Sequence, residues 1–183
     1  MSEGYQRIAV VGSTGAGKTA LARRLAARLG LPHTELDAIH WGPGWSEPPR
    51  EEFRAQVAEI ARGEQRILDG NYRKARDLIW SRADTLVWLD YPLWLVLWRL
   101  LRRTLRRVIT REKLWHGNRE HWNDALLGRD SLILWALRSH GRLRQQYPAL
   151  LQQPEFAHLH VVRLRSPRET ERWLAQLGQE ATS

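Results

Sequence analysis

The chain of 183 residues predicts an α/β fold: a five-stranded parallel sheet flanked by helices in a three-layer sandwich, with a helical and irregular lid. Three observations carry this. Short apolar runs alternate with longer stretches of helical periodicity from one end to the other. The first run, Ile8-Ala9-Val10-Val11, is apolar at every position, as in a parallel strand covered on both faces. The length suits one domain with a real core and is too short for two, so residues 1–183 read as a single unit with a lid insertion over 99–129.

The elements follow in order. The first strand closes at Gly12. A helix over 18–29 repeats Leu21, Leu25 and Leu29 at i+4 and has Gly30 where a C-terminal cap belongs. A second strand ends near Asp37. A helix over 49–62 is bounded by Gly63, and strands are expected over 66–69 and 85–90. Pro92 opens a long helix to residue 109. Residues 111–128, with Gly117, Asn118 and Gly128, read as irregular. A helix over 131–147 is weakened by Gly141. After a strand over 160–164, Ser166-Pro167-Arg168-Glu169 is a capping box with proline at the first helical position, starting a helix that ends near Gly178. Right-handed crossovers bring residues 12–19, Asp37, residues 69–73 and Asp90 to the carboxyl edge of the sheet.

Hydrophobic residues make up 43% and charged residues 27% of the chain, a globular balance. There is no cysteine, which excludes disulfides and thiolate metal sites and fits a reducing compartment. Residues 1–7 lack the features of a signal peptide. The longest apolar run, residues 93–98, is far short of the roughly 20 residues that span a bilayer. A cytoplasmic location without a membrane partner is therefore expected. The formal net charge is +9, and most of it sits in residues 99–119. There Arg99, Arg102, Arg103, Arg106, Arg107, Arg111, Lys113 and Arg119 face a single acid, Glu112.

Gly12-Ser13-Thr14-Gly15-Ala16-Gly17-Lys18-Thr19 fits G-x-x-x-x-G-K-[ST], after a strand and before a helix. Glycines let the backbone curl so that several N–H groups point at one anion, and the helix N-terminus adds its partial positive charge. The motif predicts a P-loop NTPase that binds ATP. Lys18 would reach the β- and γ-phosphates, and the Thr19 hydroxyl would sit on Mg²⁺.

Asp69 ends a strand before Gly70, the place of a Mg²⁺-holding acid in P-loop enzymes; the alternative is a turn aspartate in an Asp-Gly pair. Asp37 lies beside His40, Trp41 and Trp45, which suits an acceptor pocket where an acid orients a hydroxyl between aromatic walls. A helix N-cap is the other reading of Asp37. His40 alone reads as structural.

Phosphoryl transfer needs positioning and charge neutralisation, for which the guanidinium fork is well matched. On the long helix, Arg99, Arg102, Arg103, Arg106 and Arg107 recur at spacings of three and four, with Leu97, Leu100, Leu101, Thr104, Leu105 and Val108 on the other side. Clustered like charges point to an anion: ATP, an acceptor phosphate or nucleic acid. Trp88 and Trp98 read as core. Trp115 and Trp122 lie in the basic irregular segment, as core residues or stacking platforms for a base.

The chain resembles the adenylate-kinase-like P-loop kinases. Leu68-Asp69-Gly70-Asn71-Tyr72-Arg73 is similar to their L-D-G-F-P-R segment, and Asp90-Tyr91-Pro92 followed by Arg99 and Arg103 matches their D-x-P-x₆-R-x₃-R run. It is particularly similar to the bacterial kinase-like proteins labelled DNA topology modulation proteins, which share L-D-G-N-Y and a stretch like residues 36–41. The resemblance implies a lid over 111–128. It puts Arg99 near the base, Arg103 on the phosphates and Arg73 on an acceptor phosphate. Arg111, Arg119 and Arg129 are candidates for further lid arginines. The expected activity is transfer of the γ-phosphoryl of ATP to a small acceptor, foremost a nucleoside monophosphate. A kinase of a non-nucleotide metabolite and an ATP-binding nucleic-acid-associated protein are the alternatives. Asn71 and Tyr72 depart from the family's Phe-Pro where the acceptor binds, and the Gly-Gly-Gly of shikimate kinases is absent after the third strand.

Overall fold

In a computed structural model, which describes residues 5–110, 112–118 and 132–180, five parallel strands form the middle layer. They are β1 (Arg7–Gly12), β2 (His33–Glu35), β3 (Arg66–Asp69), β4 (Thr85–Leu89) and β5 (His160–Leu164), in the order β2-β3-β1-β4-β5. The described residues form seven α-helices: α1 (Lys18–Leu29), α2 (Leu36–His40), α3 (Arg50–Ile60), α4 (Arg76–Trp80), α5 (Leu93–Thr110), α6 (Leu132–Leu151) and α7 (Pro167–Glu180).

Strand side chains alternate between faces, and the sequence fills both with apolar groups. Ala9, Val11, Leu68, Leu86 and Trp88 point to one side, against Phe53 and Val57 of α3, Trp80 of α4 and Tyr147 of α6. Ile8, Val10, Ile67, Val87 and Leu89 point to the other, against Leu21 and Leu25 of α1, Val96 of α5 and Leu174 of α7. Both clusters are buried, and they give the three layers expected.

Several elements differ from the sequence expectation for physical reasons. β2 ends at Glu35 rather than at Asp37, because Leu36 turns into α2 and is buried under Gly70. Asp37 thus sits in the first turn of a short helix. α6 runs unbroken through Gly141 and Pro148 to Leu151. Its buried Ala136, His140, Leu143 and Tyr147 recur at spacings of four, three and four, so packing of one face overrides the weak helix formers. Arg144 of α6 bonds the Asp90 carboxylate at 2.5 Å, and His140 bonds the Tyr91 carbonyl at 2.9 Å, fixing α6 to the end of β4. The capping box of α7 forms: the Glu169 amide donates to Ser166 Oγ at 3.2 Å, while the Glu169 carboxylate accepts from the Arg165 amide at 2.6 Å.

The arginines of α5 do not share one face. Arg99, Arg103 and Arg107 are half-buried beside Val96, Leu100 and Thr104, whereas Arg102 and Arg106 are exposed. Trp98, expected in the core, is 54% exposed, and Leu101 and Leu105 lie on the outside with it. The reason is the angle of docking: the 96-100-104 row turns inward, with Val96 in the core cluster and Leu100 against Gly15, and the 98-101-105 row points away. Arg111, Arg119, Trp122 and Arg129 lie outside the described residues.

A Cβ at Gly12, where φ is 149°, would stand 2.7 Å from the Leu89 carbonyl oxygen. Gly12→Ala is therefore expected to lose about 1–3 kcal/mol of stability through backbone strain, measured as a lower midpoint in urea with unchanged slope.

Candidate functional site

β1 is the strand flanked by β3 on one side and β4 on the other, and the loop that follows it opens into the crevice beyond the carboxyl edge. Residues 13–17 wrap this opening. Ala16 N–H donates to the Ser13 carbonyl at 3.0 Å, and Gly15 and Gly17 hold positive φ angles of 86° and 96°. α1 starts at Lys18 with no side-chain cap at Gly17, so its first N–H groups stay available to an anion. The loop is clasped from two directions. The Asn71 amide accepts from Gly12 N–H at 3.1 Å and donates to the Gly12 carbonyl. On the far side a Cβ on Gly15 would meet the Val96 carbonyl of α5 at 2.7 Å.

Lys18 folds back over this loop and donates to the Ser13 carbonyl at 3.3 Å. Burial pushes its pKa down, opposed first by the Asp37 carboxylate and then by Asp69. Arg103 also acts on Lys18 and lowers it, which places that guanidinium near the lysine. Arg99 donates to the Ala16 carbonyl at 3.0 Å, with its guanidinium 5.1 Å from the Tyr91 ring centre. Both arginines thus converge on the loop from α5. Arg73 begins a 3₁₀ turn over Arg73–Ala75, where its carbonyl accepts from the Arg76 amide, and it is exposed; among the described residues its side chain makes no hydrogen bond or ion pair.

Beside the loop, oxygen atoms gather. Thr19 Oγ1 lies 2.6 Å from Asp69 and 3.1 Å from Glu35. His33 Nε2 holds the second Asp69 oxygen at 3.0 Å, and the Trp115 side chain hydrogen-bonds Glu35. Burial raises the Glu35 pKa, and the nearby Asp69 charge adds to it. Two carboxylates and a hydroxyl are hard oxygen donors that suit Mg²⁺. Among the described residues no cluster of three or more His, Cys, Asp or Glu side chains forms a complete cage. A cation here would share its coordination with phosphate oxygens and water, as Mg²⁺ does in nucleotide sites.

Asp37 does not cap a helix. Its Oδ1 accepts from the Tyr72 hydroxyl at 2.5 Å, and Tyr72's own pKa is raised by burial and then by the Asp37 charge, keeping the phenol protonated. Around them stands an aromatic wall. His40 is buried, with ring centres 4.5 Å from Tyr72 and 4.6 Å from Trp41. Trp41 meets Trp45 edge-on at 5.6 Å, and Trp45 meets Trp115 edge-on at 6.3 Å. Asn118 pins the Trp115 turn onto this wall by donating to the Gly42 carbonyl at 2.9 Å and accepting from the Trp45 amide at 3.3 Å.

The structure therefore gathers Lys18, Thr19, Asp37, Asp69, Arg99 and Arg103 around one loop. Sequence reasoning missed Glu35, His33 and the structural duty of Asn71. Glu35 had a readable signal, since Glu-x-Asp at a strand end puts two acids beside the same crevice. The His33–Asp69 and Asn71–Gly12 contacts cross strands and have no local signature.

No family model matches the chain, and no curated protein matches it. Solved structures do. A shikimate kinase from Acinetobacter baumannii in complex with shikimate superimposes with a TM-score of 0.55 at 18% identity, covering 98% of this chain and 94% of that one. A gluconokinase from Sinorhizobium meliloti 1021 gives 0.53 at 19% identity, covering 98% and 97%. A shikimate kinase from Bacteroides thetaiotaomicron gives 0.51 at 18%, covering 97% and 99%. The chain has the fold of these P-loop kinases.

A raised Glu35 pKa has two measurable consequences. Above it, the ionised carboxylate opposes folding of the nucleotide-free protein, so Glu35→Gln should raise the melting temperature at pH 7.5. A cation needs that carboxylate ionised, so the Mg²⁺-dependent part of ADP affinity should fall as pH drops from 7.5 to 5.5, and fall less in Glu35→Gln. Calorimetry and thermal melts check both.

Proposed function

We propose that the chain is an ATP- and Mg²⁺-dependent phosphotransferase whose acceptor is a small molecule bearing a hydroxyl group. The observation that carries this is the placement of Asp37: it is the strongest opposing charge on Lys18, and it faces the aromatic wall. The kinase names of the neighbours in fold support the general activity.

ATP phosphates would lie on the N–H groups of residues 13–19, with Lys18 and Arg103 on the β- and γ-phosphates and Arg99 against the loop. Thr19, Asp69 and Glu35 would hold Mg²⁺, which neutralises charge on the transferring phosphoryl group. Tyr72 donates to one Asp37 oxygen and leaves the other to accept. Asp37 takes the proton of the acceptor hydroxyl as the new O–P bond forms and the bond between the γ-phosphorus and the β–γ bridging oxygen breaks. Trp41, Trp45 and Trp115 exclude water from the acceptor side, which limits hydrolysis.

A nucleoside monophosphate acceptor is the second reading, and exposed Arg73 favours it as a free cation for an acceptor phosphate. Against it, an acceptor phosphate at the aromatic wall would meet the Asp37 carboxylate.

ADP release with Mg-ATP and a panel of hydroxylated metabolites and nucleoside monophosphates separates the readings. Stimulation by a hydroxylated metabolite and none by any monophosphate is expected. With that acceptor, Asp37→Asn should lower kcat by about 10²–10⁴-fold with little change in ATP affinity. Lys18→Ala should lower kcat/KM by at least ~10². Wild-type turnover in Lys18→Ala would sink the mechanism.

A further inference from the structure

The outer side of α5 carries Trp94, Trp98, Leu101, Leu105 and Ile109 at spacings of four, three, four and four, which is one continuous stripe on a helix. These residues are 69, 54, 44, 45 and 69% exposed. The stripe lies opposite Val96, Leu100 and Thr104, the row that α5 buries. α6 packs against α5 and exposes Trp135 and Leu137. Single exposed apolar residues are ordinary on a protein surface; a stripe along a whole helix is not.

The margin of the stripe is basic. Arg102 and Arg106 adjoin it on α5, and Arg138 and Arg142 are exposed on α6. Arg102, whose guanidinium lies 5.5 Å from the Trp98 ring, forms no ion pair among the described residues, nor do Arg138 and Arg142. Arg106 has Glu112 at 3.3 Å. Neither α5 nor α6 contains an acidic residue.

We propose that the outer face of α5, with the adjoining exposed residues of α6, docks on an anionic phospholipid surface, the tryptophan–leucine stripe entering the headgroup boundary while Arg102 and its neighbours meet lipid phosphates. Charge decides the occupant. A second copy of the chain would press two arginine-edged helices together, neither of which carries an acidic residue of its own to pair across the seam. Nucleic acid matches the charge but would leave Leu101, Leu105 and Ile109 against phosphates, where aliphatic groups gain nothing. A bilayer accepts all three components: tryptophan at the interface, aliphatic side chains just below it, and guanidinium at the headgroups. α5 lies on such a surface and does not cross it, since no helix among the described residues is long and apolar enough to span a membrane. The stripe and the Arg99–Arg103 side of α5 point in different directions, so the phosphate cradle stays open to solutes when the helix is docked.

The test is co-sedimentation of the full chain with vesicles of phosphatidylcholine alone and of phosphatidylcholine with phosphatidylserine, beside light scattering and thermal melts. The expected result is partition about 10²-fold stronger on the anionic vesicles, the preference that Arg102, Arg138 and Arg142 together confer on meeting headgroups. The triple variant Trp98→Ser/Leu101→Ser/Leu105→Ser and the double variant Arg102→Glu/Arg138→Glu should each lose at least ~10-fold while keeping the wild-type melting temperature and ADP affinity. Equal sedimentation with both vesicle types, or full binding by the triple variant, overturns the proposal. So does a dimer in light scattering that the triple variant dissolves, a fall of several degrees in the triple variant's melting temperature, or tighter binding to duplex DNA than to the anionic vesicles.

Discussion

The carboxyl edge of this sheet depends on one side-chain amide. At Gly12 the first strand leaves the β3 ladder, and its N–H and C=O would be unpaired on that side. Asn71, just after β3, supplies both partners at once, and the Tyr147 hydroxyl reaches the same amide oxygen at 3.5 Å. A buried backbone pair without partners costs about 1–3 kcal/mol for each group, so the amide fixes where the strand stops and the loop begins. It also connects the loop to the α6 layer, because Tyr147 packs edge-on against Trp80 and Trp88 at 5.2 and 5.3 Å. The loop's shape is thus set by the core on that face of the sheet.

Charge is arranged around that loop in two groups. Lys18, Arg99 and Arg103 approach from α1 and α5; Glu35, Asp37 and Asp69 approach from the β2–β3 side. The lysine's lowered and the glutamate's raised pKa both arise first from burial; the carboxylates oppose the shift on Lys18, while Asp69 and Asp37 add to the shift on Glu35. Asp90 shows the contrasting case. It is more deeply buried, yet Arg144 and Arg163 both pair with its carboxylate, and it serves to attach α6 to β4.

Much of the fold was legible in the sequence because both faces of the sheet are apolar, which makes strands short unbroken apolar runs, and because glycine and proline punctuate the helices. The Gly12 to Thr19 motif was legible for the same reason: its chemistry is local. Failures came where tertiary packing chose among local options. Nothing in residues 34–37 says that the chain turns at Leu36; the close packing of Leu36 against Gly70 decides it. Periodicity alone shows that α5 has an apolar and a basic side but not which apolar row turns inward, and the reading of Trp98 as core fails there. Glu35 carries a local signal in its Glu-x-Asp spacing, but its contacts with Trp115 and Thr19 come from distant segments and have none.

The strand order also governs how the molecule is made. β1 is the first strand to be synthesised, but its two neighbours are β3 and β4, and the sheet is closed on the β4 side only by β5. A chain emerging from the ribosome must therefore hold an apolar strand and a naked glycine loop until Leu89 has appeared, and α7 cannot cover the Val10–Leu89 face before Leu174 does. Parallel pairings of this kind are slow and leave aggregation-prone intermediates. The early helix α1, which can form from its own residues and fold over Ile8 and Val10, shelters one face of that strand during that interval, and α3 can then cover Ala9 and Val11 on the other.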